Sequence, residues 1–194
     1  MTGPSETRVL QDMQAWLERA VIGLNLCPFA KAVHVKRQIH WVVSPAVQEG
    51  EVLEVLASAL QDLADTSPVE RDTTVLVLPA AWPEFLEMHA FLPRAERCLR
   101  QAGFEGVLQI APFHPRFEFF DAPPQDMGHC VNRAPYPALH LLREDSIARA
   151  VAALPEAETI YERNLALLRT MGQAAWQALD VGPHSDHDHE TKTR

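Results

Sequence analysis

Between residues 38 and 113 two hydrophobic periods alternate, and that alternation restricts the fold more than any other feature of the chain. Gln38 to Ser44 is short and rich in β-branched residues, as a strand is. Val52, Leu53, Val55, Leu56, Leu60 and Leu63 then recur at helical spacing between Val47 and Ala64. Thr73 to Leu78 is a continuous apolar run of strand length, the pattern of a strand covered on both faces. Pro83 to Ala102 reads as a second helix, with Pro83 suited to its first turn and Gly103 to its stop. Val107 to Phe113 is a third strand. A β-α-β-α-β order favours parallel strands joined by right-handed crossovers. The expected fold is therefore α/β, a two-layer or three-layer sandwich with a small, mostly parallel sheet of about four strands flanked by helices.

The flanks complete this sandwich. Residues 8 to 25 form an amphipathic helix through Val9, Met13, Trp16, Leu17, Ala20 and Leu24, stopped by Pro28. Leu139 to Leu142 supplies a fourth strand, on which His140 and Leu142 share one face and Leu139 and Leu141 the other. Asp145 is placed to cap a helix through Ile147, Ala150, Val151 and Leu154, ended by Pro155. A last helix runs from about Glu156 to Leu179. Residues 1–7 read as a tail, 8–179 as one domain, and 180–194 as a disordered, His- and Asp-rich tail in which His184, His187 and His189 are solvated.

Composition excludes several classes. The formal charge is −9, which disfavours nucleic acid and anionic membrane surfaces as partners. No apolar run approaches the ~20 residues that span a bilayer. Three cysteines, an odd and sparse set, point to free thiols in a reducing, cytoplasmic setting. The phosphate-loop, dinucleotide and serine-hydrolase strings are missing, so no nucleotide cofactor or acyl-serine chemistry has positive support.

The stretch from Phe113 to Asp145 carries the candidate chemistry. Prolines at 112, 115, 123, 124, 135 and 137 keep much of it from being ordinary helix or central strand. Aromatic residues at 113, 117, 119, 120 and 136 argue for order. A long ordered loop is a usual place for function. His114 leaves the third strand where open α/β sheets bind ligands, and imidazole titrates near neutrality; its alternative is a backbone hydrogen bond that closes the strand. Asn132, Arg133 and Tyr136 lie beside fixed prolines, with Arg133 suited to a carboxylate or phosphate, or to an ion pair with Asp126 or Glu144. His140 and Arg143 follow where strand passes to helix, an anion-binding position. Asp121, Asp126, His129 and Cys130 are metal-capable together with His114, but match no recognised ligand spacing. Outside this stretch, Cys27 precedes Pro28 with no second cysteine at exchange distance; it is either a reactive thiol near Lys31 or a buried structural one.

These strings resemble the DUF1415 family of bacterial proteins. The resemblance rests on Trp16 to Lys31, Asp72-Thr73-Thr74, Phe113-His114-Pro115, Asn132 to Pro137 running into Leu139 to Ser146, and Ile160 to Asn164. It spans roughly residues 8 to 178. The family pattern has Ser where this chain has Ala134 and no cysteine at position 130, which takes weight from any role for Cys130. The resemblance implies a single domain and no particular activity, and it marks the same residues for test. Three functions stand at this point. The first is an enzyme acting on a small anionic metabolite, with His114 moving a proton and Arg133 and Arg143 holding the anion beside Asn132 and Tyr136. The second is a non-catalytic ligand- or partner-binding module using the same arginines. The third is a thiol-dependent protein using Cys27.

Overall fold

The computed structural model describes residues 3–153 and 159–184. Its elements run α1 (Glu6–Trp16), a π-helical segment (Leu17–Ile22), α2 (Ala30–Val35), β1 (Ile39–Val43), α3 (Glu49–Asp65), β2 (Thr73–Val77), α4 (Phe85–Gln101), β3 (Leu108–Phe113), a 3₁₀ turn (Met127–Asn132), β4 (Ala138–Arg143), α5 (Glu144–Ala152) and α6 (Ile160–Ala178). The strands and most helices lie within a few residues of their expected positions. Three details differ. Asp145 sits in the first turn of α5, and Arg143 is its N-cap residue. The short helix α2 lies between Pro28 and the first strand, where the sequence marked no element. The last helix carries a kink at Gly172, whose φ is 72°. Leu154, Pro155, His187 and His189 lie outside the described residues.

The sheet is mixed, which corrects the mostly parallel arrangement. Its order is β1-β2-β4-β3; β1 and β2 are parallel, and β4 is antiparallel to both neighbours. β1, β2 and β3 do point the same way, as the alternation demands. The chain then turns back through the proline-rich stretch, and β4 slots between β2 and β3. Every residue of β2 is buried, as its unbroken apolar run requires. Pro112 lies on β3, an edge strand, where a missing backbone N–H is tolerated.

Helices cover both faces. One face, with Leu76, Leu108, Leu139 and Leu141, packs on Val52, Leu56 and Leu60 of α3 and on Met88, Phe91 and Ala95 of α4. The other face, with Val75, Val77 and Ala138, packs on Val9, Met13, Trp16 and Leu17. Among the described residues no helix is long and apolar enough to cross a membrane.

The π-helical segment is closed by Gly23, whose N–H bonds the carbonyl of Glu18, five residues back, at 2.9 Å. This winding brings the Arg19 carbonyl so close that a β-carbon on Gly23 would lie 2.2 Å from its oxygen. Gly23→Ala therefore has to unwind the turn. The expected cost is about 2 kcal/mol, read as a fall in Tm of about 4–8 °C.

Residues 180–184, expected to belong to a free tail, are packed instead. Val181 is buried against the α1 cluster, and the imidazole of His184 bridges two carboxylates, Nδ1 to Asp12 at 2.8 Å and Nε2 to Asp180 at 2.9 Å.

Candidate functional site: a cavity over one face of the sheet

The proline-rich stretch is ordered, and its polar side chains explain why. Prolines and tight turns leave carbonyls without backbone donors, and the side chains supply them. His114 donates from Nε2 to the Trp82 carbonyl at 2.8 Å and accepts the Arg116 N–H on Nδ1 at 3.0 Å. His129 repeats the device between the Pro123 carbonyl and the Phe119 N–H. Asn132 donates to the Pro112 carbonyl, and Arg133 donates from Nε to the Phe117 carbonyl. Tyr136 donates to Asp12 at 2.8 Å. Asp126 caps the 3₁₀ turn and pairs with Arg169 of α6, so it is not the partner of Arg133; that ion pair holds its carboxyl well below the usual range, at about 2.

His114, Asn132, Arg133 and Tyr136 therefore do not meet at a hollow. His114 is 1% exposed, has both ring nitrogens on backbone groups, and burial pushes its pKa down. Among the described residues no three His, Cys, Asp or Glu side chains converge to hold a metal ion. The mixed site of His114, Asp121, Asp126, His129 and Cys130 thus does not assemble.

The hollow lies elsewhere, on the sheet face under α1. Alternation along the strands puts Trp41, Val75, His140 and Ala111 in one cross-strand row and Ile39, Thr73, Leu142 and Gln109 in the next. These two rows floor a cavity of about 590 Å³. Trp16, Leu17 and Val21 form one wall, and Cys27, Phe29 and Val33 another. Ile147, Ala150 and Ala153 of the α5 region form the third. No residue of α5 is buried. Ile147 and Ala150 of its apolar face border the cavity, while Val151 is exposed.

Of the expected site residues, the cavity gathers Cys27, His140 and Arg143. Cys27 is partly buried and held in place from α6. Arg163 donates to the Asn25 carbonyl and the buried Asn164 to the Leu26 carbonyl, both at 2.6 Å. The Arg163-Asn164 pair thus clamps the loop that presents the thiol. Arg143 reaches away from the cavity centre. Its Nη2 donates to the carbonyls of Leu63 and Thr66, the latter at 2.6 Å, and its Nε to that of Arg71. Its fork is committed to the end of α3. Asp72 lies at the same end and accepts a hydrogen bond from Ser146 at 2.6 Å.

His140 is the distinctive polar group. Thr73 Oγ1 lies 2.7 Å from its Nε2 and 2.6 Å from the Leu141 carbonyl oxygen. A hydroxyl has one proton, and a carbonyl only accepts. The proton must point at Leu141, so the imidazole donates from Nε2 and its Nδ1 carries a bare lone pair. The residue is half-buried and borders the cavity, and burial holds its pKa down to about 4. It is a neutral acceptor at neutral pH.

Sequence reasoning missed Thr73, Trp16, Trp41 and the α5 stripe. The signal was available for part of this: Thr73 and His140 are polar residues on strands whose neighbours on the same face, such as Ile39, Val75 and Leu142, are apolar.

A family model described as protein of unknown function (DUF1415) matches residues 8–178. The chain belongs to the DUF1415 family. The match takes in the four strands, every residue that borders the cavity and the clamp from α6, and it ends before the packed Val181 and His184. No curated protein and no solved structure matches the chain.

Proposed function

We propose that this DUF1415 protein is a binding module for a small, largely apolar metabolite taken into the sheet-face cavity. The observation that carries the reading is the wall: apart from the polar end at Asp72, Thr73, His140 and Arg143, the cavity is bounded mostly by Trp, Phe, Leu, Val, Ile and Ala side chains. Its volume is within the range of small-molecule sites, about 300–1,000 Å³. A ligand there also completes the packing of α5. The anionic metabolite first considered has less support, because Arg133 is remote and the Arg143 fork already serves backbone carbonyls.

A thermal-shift panel of neutral and anionic metabolites on the full chain tests this. The expected hits are neutral and apolar, raise Tm, quench Trp16 and Trp41 emission, and are recovered unchanged after incubation. A hit list made only of anions, or a ligand converted to product, speaks against a passive apolar site.

A thiol-dependent reading keeps one specific support, since Cys27 borders the same cavity. Iodoacetamide would then label Cys27 faster than Cys98, whose thiol is pushed up by burial, and a cavity ligand would protect it. Equal, slow labelling of both removes this reading.

A further inference from the structure

We infer that the cavity selects ligands carrying a neutral hydrogen-bond donor, a hydroxyl or N–H group on a compact apolar body, and that His140 Nδ1 is the atom that reads it. The inference rests on the binding reading above and adds the chemistry of the head group. The Thr73 hydroxyl is committed to the Leu141 carbonyl, which fixes the proton of His140 on Nε2. Nδ1 has no partner among the described residues, and the residue borders the cavity from an internal strand. Its nearest neighbours on this face, Val75, Ala111, Leu142 and Phe113, offer no side-chain donor; Gln109 and Trp41, which carry N–H groups, stand further along the same floor, and neither bonds it.

An acceptor in such surroundings discriminates sharply. A ligand with a donor satisfies it, whereas an apolar isostere leaves it bare after expelling the water that could serve it. A carboxylate would set lone pair against lone pair, with the Asp72 carboxylate at the same end of the cavity. A free ammonium would lose its hydration against mostly apolar walls. Phenols, indoles and short branched alcohols fit these demands; their methyl-capped or hydrocarbon counterparts do not.

The test compares phenol with toluene, two probes of similar shape, by tryptophan fluorescence titration of the full-length protein. Toluene is the more hydrophobic and would win in a featureless pocket. In the wild type, phenol is expected to bind at least as tightly as toluene. In His140→Phe the preference should swing toward toluene by about tenfold or more, the value of one good hydrogen bond to an acceptor from which the ligand excludes water. Thr73→Val is the second variant: it keeps the strand and the cavity shape but frees the imidazole proton, and should erode the phenol preference as well. The ¹⁵N shifts of the His140 ring give an independent reading, with the proton expected on Nε2. If both probes bind and their ratio is the same in all three proteins, or if the proton sits on Nδ1, the donor inference falls while the cavity remains a ligand site. If neither probe binds the wild type, the binding reading falls with it.

Discussion

His114→Ala is expected to destabilise the fold by about 3–4 kcal/mol, enough to lower Tm by roughly 10 °C. The substitution leaves the Trp82 carbonyl and the Arg116 N–H without their partners and opens a void beside Phe85, whose ring centroid lies 5.8 Å from the imidazole. Trp82 adds to the loss. Its φ is 48°, an unfavourable value for a bulky residue, and the His114 bond is one of the contacts that hold it there. Calorimetric unfolding measures the effect. In the fraction that still folds, affinity for a cavity ligand should change less than twofold, because His114 does not border the cavity. Unchanged Tm with lost ligand turnover would return His114 to a chemical role.

Asp12→Ala is the second large effect, about 3 kcal/mol at pH 6. Asp12 is 3% exposed and accepts hydrogen bonds from the Tyr136 hydroxyl and from both the backbone N–H and Nδ1 of His184. It joins α1 to the proline-rich stretch and to the segment after α6. Arg8 stands 4.0 Å from Asp12, and Arg19 stands 3.5 Å from Asp180 on the far side of His184. The two carboxylates raise the His184 pKa above its ordinary 6.5, Asp180 foremost. A raised folded-state pKa means that this stabilisation is complete below about pH 6.5 and fades as pH climbs through the higher folded value. The difference in stability between wild type and Asp12→Ala should therefore be largest at about pH 6 and shrink toward about pH 9. A gap that widens with rising pH would show that His184 is not held as an imidazolium.

Local pattern made the elements legible, and long-range geometry hid the site. The strands and helices follow from period and caps, and the unbroken run of β2 correctly marked a strand covered on both sides. The shared direction of β1, β2 and β3 was legible too, but the antiparallel run of β4 was not. Strand order was not, because nothing in Leu139 to Leu142 says which neighbours it joins; the return through the proline-rich stretch decides that. The same stretch concentrates polar side chains without making a site. Its histidines and Arg133 look catalytic in a string, yet they are the donors that a proline-dense backbone needs. The residues around the cavity are contributed by α1, the Cys27 loop, α2, all four strands and α5. Few are unusual on their own, and only their convergence on one sheet face makes a site. His140 was singled out for the right strand face, but its role depends on Thr73, 67 residues away in the chain.

The central claim is that the space beneath α5 is a ligand site. Isothermal titration of indole into the wild type and into Ala150→Phe, which fills that space from the α5 stripe, tests it most directly. The account predicts a saturable single-site heat with a negative heat-capacity change in the wild type, weakened at least tenfold in a variant whose Tm is preserved or raised. Equal binding in the two proteins, or no binding to the wild type, would contradict it.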